Sequence, residues 1–286
     1  MFPRMSALGS AATFYALAVV MVTVVAATGG STTVAMITPV VAAVLMLLVV
    51  TRDGWTRSGW ASLGLHRLGL RLWPVAVLVP LAVISLGGAV AAALGIAEWN
   101  PVGQPGEFGP ASWPVIVATN ILYAALTVSL TEEIGWRGYL LPRLVALGER
   151  RAMLLSGLMH GIWHLPVVLL TSLYLPAGNR AVVIPMFLLC VAAGGVLMGW
   201  LRLRTDSVWP AVLAHSAHNV AIFWLADLLD GQETSMAYIA GEAGVVPVAT
   251  YVALAAVLLV RTRPAKGSSG YPVAVPPARA PEASAL

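Results

Sequence analysis

The amino-acid sequence predicts an all-α fold, a polytopic membrane helix bundle of about eight transmembrane helices. Three observations predict it. Of 286 residues, 59% are hydrophobic and only 10% charged, and the mean hydropathy is +0.87. Ordinary soluble domains carry about 25% charged residues, so a water-soluble globule of this size could not cover its surface. Apolar stretches recur at the length that crosses a bilayer, roughly 20 residues. The basic residues divide between two sets of loops as membrane topology divides them. A soluble enzyme, a nucleic-acid-binding domain and a disordered regulator are all poor readings, despite a sequence pI of about 9.6. The single cysteine, Cys190, lies in an apolar run, which leaves no internal disulfide and no cysteine metal cluster.

Eight spans are expected, at about 11–29, 33–51, 73–97, 114–136, 152–172, 181–201, 208–229 and 245–261. The first reads as a retained signal anchor, since it is long and lacks a small-residue cleavage site. Pro114 suits the first turn of its helix, while Pro166 and Pro185 are expected to kink theirs. With these spans, Arg4, the four arginines of 52–71, the four of 137–151, Arg202, Arg204, Arg261, Arg263, Lys266 and Arg279 share one side. Arg180 alone falls on the other, with Glu98, Glu107, Asp230, Glu233 and Glu242. The positive-inside rule then puts both termini in the cytoplasm, and an odd number of spans would scramble the partition. Residues 52–72, rich in Trp and Arg, are expected along the cytoplasmic interface. The segment 262–286, rich in Pro, Ala, Gly and Ser, is expected to be disordered. Gly195 and Gly199 form a small-xxx-small face suited to close helix packing. No internal repeat is evident, which counts against a transporter built from inverted repeats.

Polar groups at membrane depth cost a few kcal/mol each and mark function unless they are paired. Here they cluster. The fourth span ends with Glu132, Glu133 and Arg137; the fifth holds His160 and His164; the seventh holds His215, His218 and Asn219. His66, in the interfacial loop, is the bland exception. Glu133 and Arg137, His160 and His164, and His215 and Asn219 are each i,i+4 pairs, so each pair shares a helix face. By helical rise His160 and His215 lie roughly 12–13 Å in from the cytoplasmic ends, and Glu132 near the end of its own span. A carboxylate desolvated beside a histidine can take a proton from water. Imidazoles and a carboxylate also suit zinc with one position open for water, and an imidazole with an Asn amide can steady an oxyanion. Hydrolysis by activated water fits this set. Ser129 and Ser216 are nucleophile candidates by position only, and Cys190 has no evident activator.

Each piece has a bland reading. Glu133 with Arg137 reads first as a structural ion pair. Glu132 alone could snorkel to the interface, and a lone intramembrane histidine could be a satisfied helix–helix hydrogen bond. Trp136, Trp163, Trp209 and Trp224 read as packing or interfacial anchors. It is the conjunction of four histidines, an Asn and two carboxylates in three spans that weakens the bland account.

At these residues the chain resembles the CPBP family of intramembrane proteases, the group of CAAX proteases, Rce1-type enzymes and bacteriocin-processing proteins. The EExxxR motif is Glu132-Glu133-Ile-Gly-Trp-Arg137, followed by GYLLPRL; FxxxH is matched at His164, with Leu165-Pro166 after it; HxxxN runs from His215 to Asn219. Order and spacing agree across about 114–229. One position departs, because His160 stands where the second motif has Phe. The resemblance implies an endopeptidase acting on a membrane-associated peptide or protein, with 111–230 as its catalytic core, 1–110 as preceding helices and interfacial loop, and 231–261 as a last loop and helix. It implies Glu132 as general base, His164 as its partner, His215 and Asn219 as oxyanion stabilisers, and Glu133, Arg137 and His160 as support. Zinc is left open as a cofactor, with Glu132, His164 and His215 as its ligands. The expected location is the plasma membrane, with the active site facing the cytoplasmic half. Fifteen Arg to one Lys points to a GC-rich, bacterial genome, where prenylated CAAX proteins are not the expected substrate. Three rivals rank lower: a non-catalytic scaffold or self-immunity protein, a histidine-box di-iron oxidase, for which five histidines are too few, and an ion-coupled transporter using Glu132 as a proton relay.

Overall fold

The computed structural model describes residues 5–101, 107–171 and 177–262. The tail beyond Thr262, expected to be disordered, and the basic residues Arg4, Arg263, Lys266 and Arg279 lie outside the described residues. Eight long helices stand where eight spans are expected: α1 Ala7–Ala27, α2 Thr32–Val50, α3 Leu70–Ala93, α4 Pro110–Leu147, α5 Glu149–Leu170, α6 Arg180–Thr205, α7 Trp209–Leu228 and α8 Val245–Arg261. The first six are long and apolar enough to cross a membrane, and α8 is a shorter apolar helix. The protein is a multi-pass membrane protein.

Local chemistry sets the helix starts. The hydroxyls of Ser6 and Ser31 accept from the backbone N–H groups of Gly9 and Val34, and the Asn179 side chain accepts from Ala181. These caps satisfy N–H groups that have no partner within the helix. Pro114 sits in the first turn of the α-helical segment Trp113–Ala124 of α4, after the 3-10 turn Pro110–Ser112, where its missing N–H costs little. Pro166 follows a break at His164 that divides α5 into Glu149–Trp163 and Leu165–Leu170. Pro185, by contrast, lies inside an uninterrupted helix.

The sequence reading ends the fourth span at 136. The structure carries α4 on to Leu147, through wide π turns at Ala125–Ser129 and Ile134–Leu140. Pro142 is tolerated because it begins a fresh α segment, Leu141–Leu144, after the second π turn. Glu132 therefore lies well inside its helix rather than near the end.

The two ends of the bundle are built differently. At the Arg-rich end the segment 52–72 folds into short turns and docks on the α6–α7 corner. The buried Arg202 donates to the carbonyls of Arg137 and Ser62, Trp209 Nε1 donates to Leu65 O at 3.0 Å, and Val208 N to Gly64 O at 3.1 Å. Gly64 adopts φ +78°, with Arg202 Cζ 2.9 Å from where a Cβ would stand, so only glycine fits this crossing. Arg150 ties the end of α8 to the same face by donating to Thr262 O at 2.7 Å. At the opposite end a small antiparallel pair, β1 Ala97–Trp99 and β2 Leu229–Gly231, joins the ends of α3 and α7. The groups of helix ends are those the charge partition assigns to two membrane faces.

The α5–α6 contact is close because both partners present glycine. A Cβ on Gly195 would fall 2.5 Å from Gly157 Cα and 2.8 Å from Arg137 Nη2, and one on Gly199 would lie 3.0 Å from Met153 Cγ. The expected small-residue face is thus borne out. Gly195→Leu is expected to cost at least about 1–3 kcal/mol through overpacking, seen as a lower midpoint of thermal unfolding in detergent. An unchanged midpoint would contradict this reading of the contact.

Candidate active site

Neighbouring residues on a helix diverge by about 100°, so the two carboxylates of α4 face different partners. Glu132, 2% exposed, points to α5, where its Oε2 lies 2.9 Å from His160 Nε2. Glu133, fully buried, points to α7: its Oε1 lies 3.0 Å from His215 Nδ1 and 2.9 Å from Arg137 Nη1. Arg137 is buried as completely, and its Nη1 also lies 3.1 Å from His160 Nδ1. Three helices are thereby joined in one network running Glu132–His160–Arg137–Glu133–His215. The π turns flanking Leu130–Glu133 belong to the site, as π bulges inside helices often do.

Hydrogen-bond chemistry settles two ring tautomers. A guanidinium only donates, so His160 Nδ1 accepts from Arg137 and the ring carries its proton on Nε2, donating to Glu132. A backbone carbonyl only accepts, so His164 Nδ1, 3.1 Å from His160 O, donates to it and leaves Nε2 as the acceptor. His160 is further held by stacking on Trp136, with centroids 5.1 Å apart and planes at 27°. Trp163 is fixed by donating to Thr38 Oγ1 at 3.2 Å.

Glu132, His160, His164, His215 and Asn219 line one cavity of about 450 Å³ between α2, α4, α5, α6, α7 and α8. Most of its remaining wall is apolar, including Val128, Val167, Phe187 and Ile222. The site residues read from the sequence are therefore brought together: the four assigned chemistry and His160 at the cavity, Glu133 and Arg137 directly behind it. Ser216 is committed to its own helix, donating to Val212 O at 2.8 Å. Ser129 is fully buried and Cys190 lines the apolar wall. Trp136 and Trp163 are core residues, as expected of packing anchors.

A second polar group in the same cavity escapes a reading by motif. His218 Nδ1 lies 3.0 Å from the Tyr251 hydroxyl and its Nε2 3.4 Å from Glu242 Oε1. His218 carries no motif spacing, and Glu242 reads in the sequence as a loop charge. Only the fold brings α7, α8 and that loop to one wall.

The metal question turns on His160. Glu132, His160 and His164 each offer an atom within 4.8 Å of the others, near enough to surround one ion. By distance His160 takes the place the sequence reading gives to His215, although His215, with Nδ1–H donated to Glu133, has the arrangement of a ligating histidine. A metal-bound histidine needs a lone pair on the ligating nitrogen and donates its other N–H to an acceptor. His160 has the opposite arrangement, since Arg137 requires the lone pair on Nδ1. Arg137 also puts a fixed positive charge next to the ring. Glu132, His160 and His164 fit an ion by distance, and His160 does not fit it by proton arrangement.

Comparison with known proteins bears on the same segment. Residues 113–221 match the family model described as type II CAAX prenyl endopeptidase Rce1-like. The central segment is similar to the Rce1-like CAAX endopeptidases. This bears out the resemblance read from the three motifs. A CAAX prenyl protease 2 of Methanococcus maripaludis is 26% identical over 104 residues, which span 35% of this chain and 38% of that relative. The Rce1-like match contains both glutamates, Arg137, all four intramembrane histidines and Asn219.

Proposed function

We propose that this protein is an intramembrane endopeptidase that hydrolyses a peptide bond of a membrane-associated protein or peptide with a water activated by Glu132 and His164. The observation that carries the reading is a buried carboxylate, held by His160, opening into a cavity that it shares with His164, His215 and Asn219. Glu132 accepts a proton from water while His164 Nε2 accepts from the same molecule and orients it. The hydroxide attacks the carbonyl carbon, and the carbonyl oxygen takes up negative charge opposite the Asn219 amide and His215, which donates from Nε2 in its doubly protonated form while Nδ1–H is held by Glu133. Glu132 then passes its proton to the departing amine. Glu133 and Arg137 position this machinery: Glu133 holds His215 through Nδ1, and Arg137 fixes the proton on the face of His160 that Glu132 needs.

The apolar walls suit an uncharged peptide segment, and the setting is the bilayer of the plasma membrane. No step requires zinc. Prolonged chelation of the purified protein is expected to leave its rate of peptide hydrolysis unchanged; a loss restored by zinc would contradict the assignment of His160. The function itself is tested by replacing Glu132, His164 and Asn219 singly with alanine. Each variant is expected to lose cleavage and its cellular effect. Survival of cellular function in all three would favour a scaffold or self-immunity protein with the same fold.

A further inference from the structure

We infer that the cavity opens toward the Arg-poor face of the membrane, so that its substrate is a peptide segment presented from the extracytoplasmic side. The inference rests on the peptidase reading only for what enters; the direction of opening stands on geometry.

The Arg-rich end is shut. Segment 52–72 is bound across it through Arg202, Trp209 and Val208, and beneath the site Trp136, Arg137, Tyr139, Leu140 and Leu141 are all completely buried. The lining of the cavity continues the other way. Thr32 is the first residue of α2, Val168 lies in the last turn of α5, Ile222 and Phe223 lie in the last two turns of α7, and Tyr251 lies in the second turn of α8. Glu242 belongs to the connection before α8, between β2 and that helix, and still reaches the cavity wall. Every one of these positions is at or near the end of its helix opposite the basic loops. His160 sits about midway along α5, roughly 15 Å from either end at ~1.5 Å per residue. The reacting groups therefore form a floor near the middle of the membrane, below a mouth on the Arg-poor side. Phe223, which lines this cavity, is 71% exposed, so the wall at the open end reaches the surface of the bundle.

Charge decides which compartment that is. The loops at the closed end hold the arginines of 52–71 and 143–151, whereas Glu98, Asp230, Glu233 and Glu242 hold the open end. The positive-inside rule assigns the closed end to the cytoplasm. On this inference access runs from the side opposite to the cytoplasmic half expected from the sequence.

Thiol labelling in intact cells tests this without depending on catalysis. In a Cys190→Ser background, Thr234→Cys marks the Arg-poor loop, Ser58→Cys the Arg-rich loop, and Val168→Cys the cavity wall. A small, charged, membrane-impermeant methanethiosulfonate is added before or after permeabilisation. Thr234→Cys and Val168→Cys are expected to react in intact cells, and Ser58→Cys only after permeabilisation. Reaction of Val168→Cys only after permeabilisation would overturn the inference, as would reaction of Ser58→Cys in intact cells. Val191→Cys, on the same wall, replaces Val168→Cys if that variant does not accumulate; a wall residue unreactive under both conditions also overturns it. Loss of peptidase activity in the Glu132 variant, measured separately, bears on the peptidase reading and leaves the labelling result intact.

Discussion

Glu132→Gln is expected to reduce peptide hydrolysis by about 10²–10⁴-fold, the range that a positioned general base supplies, while leaving the fold in place. The amide oxygen still accepts from His160 Nε2, now 2.9 Å from the carboxylate, so the wall of the cavity keeps its hydrogen bond. What is lost is the capacity to take a proton from water and return it to the leaving amine. Initial rates with any cleaved peptide, alongside thermal unfolding in detergent, separate the two effects. Activity within tenfold of wild type would remove Glu132 from the chemistry.

Arg137→Met is expected to have the larger effect on stability. Both partners of the Arg137–Glu133 pair are wholly buried, and removing one partner of such a pair typically costs about 3–5 kcal/mol because an uncompensated charge remains. The loss extends beyond the pair. Arg137 also donates to His160 Nδ1, a bond that methionine cannot replace, whereas its backbone carbonyl, which accepts from Arg202, is retained. Loosening is therefore expected at the site, where Glu133 and His160 both lose their guanidinium partner, seen as a large fall in the unfolding midpoint. Glu133→Gln combined with Arg137→Met is expected to recover part of the fall, since no buried charge is then stranded. A double variant no more stable than the single one would show that Arg137 acts through packing rather than charge.

Much of this architecture can be read from the residues alone, for identifiable reasons. Lipid imposes a length on each apolar stretch and a sign on each loop, and both leave plain marks: Arg180 is the sole basic residue on its side. The i,i+4 pairs Glu133–Arg137 and His215–Asn219 announce shared faces, and Glu133 does join Arg137 to His215. The extension of α4 to Leu147 is not legible, because π turns leave no periodic signature and Pro142 argues for an earlier stop. The role of His160 is ambiguous in sequence. Its ring could replace a phenyl group or act as a ligand, and only the positions of Arg137 and Glu132 on either side of it fix its proton. The group His218, Tyr251 and Glu242 depends on contacts between α7, α8 and a loop, distant in sequence and without a shared motif. The interfacial segment 52–72 is recognisable by its Trp and Arg content, but that it docks on the α6–α7 corner follows from Arg202, Ser62 and Gly64 meeting there.

The most direct test of the central claim is cleavage of a library of apolar membrane-segment peptides by detergent-purified wild type and Glu132→Gln in parallel, with products identified by mass. Complementary fragment pairs, together one water heavier than the parent peptide, are expected from the wild type and absent from the variant. Equal cleavage by both proteins would contradict the assignment of hydrolysis to this carboxylate.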